Sequence, residues 1–182
     1  MIRGTLTNNS DEEFSYVSAR PIEKGIPTFI FFHATGFNGQ TYWQLVEGLD
    51  NKFEGSVNCI SLDQRGHGLS TALTEPERLK DWSLYLQDAL EITDKLEGPL
   101  FCAGHSMGSI VAAKLSSLRQ EKVKKLIMLE PVLYGPLECF KYRLMRAIGR
   151  RNKVELVELA AKRRSIFGSQ QEMVDSYLGR GV

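Results

Sequence analysis

Residues 104–108, with the sequence Gly-His-Ser-Met-Gly, could hold a serine hydroxyl in position to attack a carbonyl carbon. This G-x-S-x-G pattern places its serine, here Ser106, on a sharp turn between a strand and a helix. The apolar run Leu100–Ala103 precedes the pattern, and a small, apolar segment with helical character follows it, so the surroundings fit. A helix N-terminus below Ser106 would also favour negative charge that develops on a substrate oxygen.

The chain lacks an obvious base for this serine. A serine hydroxyl is a poor nucleophile at neutral pH and needs a neighbouring base, almost always a histidine. The three histidines are at positions 33, 67 and 105, and none follows Ser106, whereas the usual order along such chains is Ser, then Asp or Glu, then His. His105 is adjacent to Ser106 at a tight turn, so we expect its side chain to point away from the hydroxyl.

The elements that must position Ser106 are predicted by the pattern of apolar residues. Short β-branched or aromatic runs alternate with helical patterns, which predicts an α/β fold with a mostly parallel sheet and flanking helices. An early run is predicted as an edge strand, at residues 14–19. Four further runs are predicted as strands buried on both faces, at residues 28–32, 57–62, 100–103 and 126–129. Helices are predicted at residues 41–49, 81–96 (with Asp81 as N-cap) and 106–118.

The alternation of strands and helices ends after Pro131. Residues 137–179 are basic and helical in pattern and contain no obvious buried strand. We therefore divide the chain into a core at residues 1–136 and a helical segment at residues 137–182. This segment has two apolar stripes at helical spacing, and such stripes are more often packing faces than substrate contacts. They consist of Tyr142, Leu144, Met145 and Ile148, and of Val154, Leu156, Val157 and Leu159.

Composition and charge argue against several classes of protein. The chain has 182 residues, of which 42% are hydrophobic and 25% charged, and its net charge of +1 does not favour nucleic acid as a partner. The three cysteines have no metal-ligand spacing, so we predict neither a disulfide framework nor a metal site. Their number and setting are typical of a reducing compartment, and we expect a cytoplasmic protein. We also expect no cofactor. No apolar run approaches ~18 residues and no signal-peptide pattern is present, so no membrane span is predicted.

Two further motifs accompany the serine turn. Residues 33–37, His-Ala-Thr-Gly-Phe, follow the first predicted buried strand, and residues 63–70, Asp-Gln-Arg-Gly-His-Gly-Leu-Ser, follow the second. In this order the three motifs resemble the α/β-hydrolase superfamily, and most closely its branch of small serine esterases, lipases and related acyl hydrolases. The resemblance covers residues 14–135 and implies an α/β-hydrolase fold, in which residues 137–182 begin a helical cap over the active site.

The resemblance also implies roles for individual residues. Ser106 matches the nucleophile that forms an acyl-enzyme, and the backbone N–H of Met107 matches one donor of the oxyanion hole. The second donor matches the N–H of Thr35, next to Ala34, where the family usually has glycine. Glu130, at the end of the strand after the serine helix, is a candidate for the acid that orients the histidine. Four residues match positions that shape loops: His33, Asp63, Arg65 and His67.

The resemblance leaves two interpretations of the chain as a whole. In the family, two more strands follow the cap and carry the usual acid and the catalytic histidine, and these strands are absent here. The chain could be a C-terminally truncated serine hydrolase that is inactive alone, or a complete, non-catalytic α/β-hydrolase-like binding protein. We favour truncation, because residues 125–129 would otherwise form an exposed, apolar sheet edge, which natural proteins normally protect.

The reaction subtype stays open at this stage. The resemblance implies a small-molecule acyl substrate, and an esterase, thioesterase, acyltransferase, perhydrolase or carbon–carbon bond hydrolase could use the same serine turn. Haloalkane dehalogenases and epoxide hydrolases are disfavoured, because they have aspartate where Ser106 stands. The sequence predicts no particular oligomeric state.

Overall fold

The computed structural model describes residues 1–75, 81–147 and 166–179. Within these ranges the strands are β1 (Ile2–Thr7), β2 (Glu13–Ser18), β3 (Thr28–Phe32), β4 (Asn58–Leu62), β5 (Leu100–His105) and β6 (Val123–Leu129). The α-helices are α1 (Trp43–Phe53), α2 (Ser83–Asp94), α3 (Met107–Leu118), α4 (Pro136–Ala147) and α5 (Gln170–Leu178), and a 3-10 helix at Gly39–Tyr42 leads into α1. The chain divides into two compact units, Met1–Leu133 and Tyr134–Val182.

The six strands form one mixed sheet in the order β1-β2-β4-β3-β5-β6. Strands β3, β4, β5 and β6 are parallel, whereas β1 and β2 pair antiparallel with each other and β2 with β4. The predicted α/β class, with a mostly parallel sheet and flanking helices, is confirmed. Because β3 lies between β4 and β5, the loops that follow these three strands meet at one edge of the sheet, where α/β proteins usually bind ligands.

The central strands are buried because helices cover both faces of the sheet. All five residues of β3 are buried, and alternate residues point to opposite faces. Ile30 and Phe32 belong to a core cluster with residues of α2 and α3, whereas Phe29 and Phe31 pack in a second cluster with residues of α1. The continuous apolar run at residues 28–32 therefore follows from burial on two sides.

The first unit differs from the sequence prediction at β2. The strand predicted at residues 14–19 forms, but its predicted edge position is wrong, because β1 pairs along its outer side over six residues. The apolar pattern did not predict β1, because this strand has only two large apolar residues, Ile2 and Leu6, among small and polar ones. Gly4 marks the close approach of the two strands, since a Cβ there would lie 2.2 Å from the hydroxyl oxygen of Tyr16.

Strand β6 also differs from the prediction. It pairs with β5 alone and is the last strand of the described sheet, so the predicted burial of residues 126–129 on both faces is wrong. Ile127 is 52% exposed, and Leu126 and Leu129 are exposed as well. This edge carries apolar side chains together with unpaired backbone groups, a combination that favours the addition of another strand.

The second unit, Tyr134–Val182, contains α4 and α5 in its described part. Ser169 caps α5 by accepting a hydrogen bond from the N–H of Glu172, at 3.1 Å. On α4, the large apolar side chains of Leu137, Phe140 and Leu144 are exposed. Ile148 and the stripe predicted at residues 154–159 lie outside the described residues, as does the side chain of Tyr142, and the cap role of this unit stays a prediction.

The helices described are all too short or too polar to cross a membrane.

Arg65 connects three parts of the first unit in a buried ion-pair network. Its guanidinium forms two hydrogen bonds with Asp88 on α2, at 2.8 and 2.6 Å, and two more with Glu12, just before β2. It also donates to the carbonyl of Leu73 and lies over the ring of Phe14. The loop after β4 is thereby tied to both neighbouring elements, in agreement with the loop-shaping role implied for Arg65.

The carboxyl groups on either side of Arg65 respond differently to their surroundings. Hydrogen bonds from Arg65 lower the pKa of Glu12 to about 2. Burial raises the pKa of Asp88, against the opposing effect of Arg65. Since the folded-state pKa of Glu12 is depressed, its charge stabilises the fold above its ordinary pKa of 4.5, and this stabilisation is lost as the pH falls toward about 2.

We predict that Glu12→Gln lowers the free energy of unfolding by about 1–2 kcal/mol at pH 7, because a charged hydrogen bond to Arg65 is lost. The difference between wild type and variant should shrink steadily below pH 5 and vanish near pH 2. Urea unfolding at a series of pH values measures the free energy of unfolding of both proteins. Because Asp88 is present in both, the difference between them reports the effect of Glu12. The exposed neighbour substitution Glu13→Gln is the control, and a difference that stays constant down to pH 2 contradicts the prediction.

Candidate active site

Three loops meet at the carboxyl edge of the parallel strands. The loop after β3 contacts the serine turn after β5, because the Thr35 hydroxyl donates to the sulfur of Met107 at 3.4 Å. It also contacts the loop after β4, because the N–H of Gly36 donates to Nε2 of His67 at 3.3 Å. The three motifs that the sequence analysis singled out are therefore neighbours in space.

Ser106 lies between the end of β5 and the start of α3 with a strained backbone. Its φ of 52° and ψ of −115° belong to a conformation that residues with a side chain rarely adopt. The surroundings hold this conformation in place. The N–H of Ser106 donates to the carbonyl of Leu129 on β6 at 2.9 Å, and its own carbonyl accepts from the N–H of Ser109 at 3.1 Å.

Two glycines allow the backbone around Ser106 to pack this closely. A Cβ at Gly104 would lie 2.3 Å from the carbonyl carbon of Gly108, and a Cβ at Gly108 would lie 2.1 Å from the carbonyl oxygen of Phe32. The first turn of α3 therefore lies directly against the backbone of β5 and β3. This close approach requires the two glycines of the G-x-S-x-G pattern.

The Ser106 hydroxyl has no hydrogen-bond partner among residues 1–75, 81–147 and 166–179, and the residue is partly exposed. The backbone N–H groups of Thr35 and Met107 likewise have no acceptor in this described part of the chain. Met107 begins α3, where N–H groups have no partner within the helix. The Ser106 hydroxyl is thus followed in the chain by the N–H of Met107, and the contact between the side chains of Thr35 and Met107 brings the loop of Thr35 against the same turn.

Ala34 occupies its loop position without strain. It is buried, and it is not among the residues of positive φ in the described chain, so an alanine is accommodated where glycine is usual in the family.

Two of the three histidines have both ring nitrogens engaged with backbone groups. The fully buried His33 donates from Nδ1 to the carbonyl of Ala34 at 2.8 Å and accepts at Nε2 from the N–H of Gln64 at 3.0 Å. Burial lowers the pKa of His33 to about 4, so the ring is neutral at pH 7. His67 donates from Nδ1 to the carbonyl of Arg65 at 2.9 Å while it accepts from Gly36. Both rings therefore shape loops.

Asp63 shapes the same loops through its carboxylate. One oxygen accepts from the N–H of Gly39 at 2.7 Å, and the other accepts from the N–H of Leu69 at 2.9 Å. Asp63 is fully buried and also lies 3.4 Å from Arg3, which compensates part of its charge. Its position away from the serine turn agrees with a loop-shaping role.

His105 faces away from the Ser106 hydroxyl. Its Nδ1 lies 2.7 Å from the hydroxyl of Tyr42, and its Nε2 lies 3.6 Å from a carboxylate oxygen of Glu130. Glu130 follows β6 with a φ of 44°, and its side chain is 89% exposed. The candidate acid therefore lies beside the serine turn, and the imidazole that it faces is that of His105.

Tyr42 belongs to this site although no sequence motif includes it. Its hydroxyl bonds with His105 and also accepts from the N–H of Ala34 at 3.3 Å. Tyr42 lies outside the three motifs, in the 3-10 helix before α1, and a tyrosine at that point of a sequence gives no signal of its role.

The described residues offer no site for a metal. No three His, Cys, Asp or Glu side chains within them are grouped as a metal ion would require. Cys59 and Cys102 are buried, and burial raises the pKa of their thiols to about 11 and about 12, so neither is a reactive thiolate at neutral pH.

Comparison with known proteins gives one family. The sequence model of the family described as serine aminopeptidase, S33, matches residues 27–177 of this chain. Among solved structures, an epoxide hydrolase from Vigna radiata superposes with a TM-score of 0.64 and 20% identity, over 82% of this chain and 44% of that protein. At that identity the match concerns the fold.

Two curated relatives are similar in sequence. The (E)-2-((N-methylformamido)methylene)succinate hydrolase of Acinetobacter baylyi is 34% identical over 104 residues, which cover 57% of this chain and 37% of the relative. Protein phosphatase methylesterase 1 of Debaryomyces hansenii is 25% identical over 173 residues, which cover 87% of this chain and 40% of the relative. The chain thus spans about two fifths of the length of these relatives.

The close packing at the serine turn predicts a large effect of one added methyl group. Gly108→Ala should lower the free energy of unfolding by about 3 kcal/mol or more, because its Cβ would overlap the backbone of Phe32. Gly48→Ala is the matched control, since the exposed Gly48 in α1 has nothing within 4 Å of the added carbon and should gain about 0.5–1 kcal/mol. Urea unfolding followed by circular dichroism measures both, and equal midpoints for the two variants would contradict the structure of the turn.

Proposed function

Because this chain belongs to the serine aminopeptidase S33 family, within the α/β-hydrolase superfamily, we propose that it carries the nucleophile and oxyanion hole of a serine hydrolase. The substrate is an ester or a related acyl compound, and Ser106 forms the acyl-enzyme. One observation carries the proposal: the hydroxyl of a strained serine has no partner among the described residues, and the N–H groups of Met107 and of Thr35, whose side chains touch, have no acceptor among them.

The proposed reaction begins with attack of Ser106 Oγ on the substrate carbonyl carbon. The carbonyl oxygen becomes negatively charged in the tetrahedral intermediate and accepts hydrogen bonds from the N–H groups of Met107 and Thr35. Each such donor contributes about 3 kcal/mol to the stability of the transition state. The positive end of the α3 dipole adds to this stabilisation. The general base takes the proton of the Ser106 hydroxyl during the attack and gives it to the leaving group, whose expulsion yields the acyl-enzyme. Water, activated by the same base, then hydrolyses the acyl-enzyme and releases the acid and Ser106.

The general base in this proposal is a histidine outside these 182 residues. His33 and His67 are occupied by backbone groups, and His105 faces Tyr42 and Glu130. The open edge of β6 supports the proposal, because exposed apolar side chains and unpaired backbone groups there can accept further parallel strands.

Reading the gene beyond codon 182 tests this part of the proposal. A frame that continues into two strand-like segments, with Asp or Glu and then His at a loop, supports it. A stop codon at that point contradicts it, and the non-catalytic binding protein then becomes the better interpretation.

The choice of an acyl substrate is supported by the names of the family and its members. The family is named for an aminopeptidase, one relative for a substituted formamide and the other for a methylesterase. Hydrolysis of an amide or an ester proceeds through attack on a carbonyl carbon, which the pairing of a serine with an oxyanion hole serves. Ser106, in place of the aspartate of epoxide hydrolases, also favours acyl chemistry.

We predict that a fluorophosphonate probe labels Ser106 in the protein expressed from its complete gene. Ser106→Ala should abolish labelling and lower kcat on a p-nitrophenyl ester panel by about 10⁴-fold or more. Mass spectrometry of the labelled peptide identifies the modified residue.

Ser117→Ala is the control for this experiment, because Ser117 is an exposed serine on the same helix and should not affect labelling. A wild-type protein that neither labels nor hydrolyses any ester contradicts the proposed function. Labelling of the 182-residue chain alone, as fast as that of a complete esterase, would contradict the need for an external histidine.

Glu130 is the candidate that the described residues offer for the acid of the triad. If it orients the histidine, Glu130→Gln should lower kcat by about 10³–10⁴-fold, because the neutral amide no longer stabilises the imidazolium. The exposed side chain of Glu130 predicts an unchanged melting temperature. Steady-state kinetics of the complete protein decide the question, since a loss below tenfold removes Glu130 from the triad. Glu121→Gln, on an exposed glutamate before β6, is the control.

A further inference from the structure

The Tyr42 hydroxyl joins two of the three loops of the site. It accepts a hydrogen bond from the N–H of Ala34, which precedes the proposed oxyanion donor Thr35, at 3.3 Å. It also lies 2.7 Å from Nδ1 of His105, which precedes Ser106. One hydroxyl group thus contacts the residue directly before each of two functional residues.

The position of this hydroxyl is fixed by the packing of its ring. The ring of Tyr42 lies with its centroid 4.4 Å from that of the fully buried Phe31 on β3. On its other sides it contacts Phe37, and it meets the ring of His105 edge-on at 6.1 Å. Tyr42 is therefore anchored to the central strand independently of its hydrogen bonds.

The hydrogen-bond pattern defines the direction of the protons. Burial raises the pKa of Tyr42, so its hydroxyl keeps its proton at neutral pH. Since the oxygen accepts from Ala34, the hydroxyl proton is available for Nδ1 of His105. With Nδ1 as the acceptor, the ring of His105 carries a proton on Nε2, which faces the carboxylate of Glu130 at 3.6 Å.

We propose that Tyr42 is a positioning residue that fixes the loop at residues 34–36 relative to the serine turn at residues 105–107. This inference rests on the proposed roles of Ser106, Thr35 and Met107. The two backbone donors belong to loops that are distant in sequence, so their spacing depends on non-covalent contacts between the loops. In the described chain the hydrogen-bonded contacts between the loop at 34–36 and the turn at 105–107 are the Tyr42 bridge and the Thr35 contact with a sulfur, a weak acceptor.

The role predicts a specific kinetic effect. An oxyanion hole acts on the charge of the transition state, so a displaced donor should slow acylation and leave substrate binding almost unchanged. Complete loss of a donor lowers kcat on the order of 10²–10³-fold. A donor that stays in place but is held less firmly should lower kcat by a smaller factor. Tyr42→Phe, which keeps the ring on Phe31, should therefore lower kcat about tenfold and change KM less than about twofold.

The test uses the protein expressed from its complete gene. The rate of fluorophosphonate labelling, kcat and KM on an ester are measured for wild type and Tyr42→Phe, with the melting temperature to verify folding. Tyr16→Phe is the matched control, because it removes the hydroxyl of another largely buried tyrosine, which lies over Gly4 on the far side of the sheet. A Tyr42→Phe protein with wild-type kcat and labelling rate overturns the proposal.

Substitutions at His105 separate positioning from simple packing. His105→Asn keeps an acceptor where Nδ1 stood and should retain more activity than His105→Leu, which removes it. The double variant Tyr42→Phe/His105→Leu should be no slower than its slower parent, since both changes break one bridge. Multiplicative losses would instead show two independent effects and overturn the proposal.

Nuclear magnetic resonance distinguishes failure of the bridge from failure of the proposed function. The ¹⁵N shifts of His105 should report the Nε2–H tautomer, and Tyr42→Phe should shift the amide resonance of Ala34 as its hydrogen bond is lost. If the wild type has no esterase activity but these signals behave as expected, the proposed function fails while the bridge stands. If the Ala34 amide does not move in Tyr42→Phe, the bridge itself is refuted whatever the activity.

Discussion

The close approach of α3 to the backbone of β3 and β5 is the constraint on which the site depends. Gly108 lies so near the carbonyl of Phe32 that no side chain fits between them. Gly104, at the end of β5, lies just as close to the backbone of Gly108 and Ser109 in the first turn of α3. A helix that begins this close to the sheet must be entered by a very sharp turn, and Ser106 takes the strained conformation that the turn requires. The same geometry leaves the first N–H groups of α3 without partners in the helix, where a developing negative charge can accept hydrogen bonds from them.

Side chains that are hydrogen-bonded to backbone groups fix the loop at residues 34–36 beside this strained turn. His33, His67 and Tyr42 each bond to the backbone of residues 34–36, so contacts within this loop, from the 3-10 helix and from the loop after β4 together fix its backbone. Burial keeps His33 neutral at pH 7, which lets its Nε2 accept from Gln64 instead of carrying a proton. These contacts therefore fix backbone dipoles in place, and preorganised dipoles of this kind can stabilise a developing negative charge with little reorganisation.

The sequence predicted the parts of the fold whose causes are local. The buried strands at 28–32 and 100–103 and the helix after Ser106 were recognised because continuous apolar runs and small residues follow from burial on two faces. β1 was not recognised, since it is stabilised mainly by backbone pairing with β2, and its side chains carry little signal. The burial of residues 126–129 was predicted wrongly, because an apolar run does not reveal how many strands lie beyond it. The role proposed for Tyr42 depends on contacts with residues far away in sequence, such as His105, which no short motif contains.

The most exposed of the six described strands, β6, is also the strand that holds the backbone of Ser106. The carbonyl of Leu129, at the exposed end of β6, accepts the N–H of Ser106 and the hydroxyl of Ser109, both at 2.9 Å. Glu130 follows directly, with its carboxylate facing His105. The position of β6 therefore affects the serine turn through two sets of contacts. One set is the backbone carbonyl of Leu129, and the other is the series of contacts from Glu130 through His105 to Tyr42.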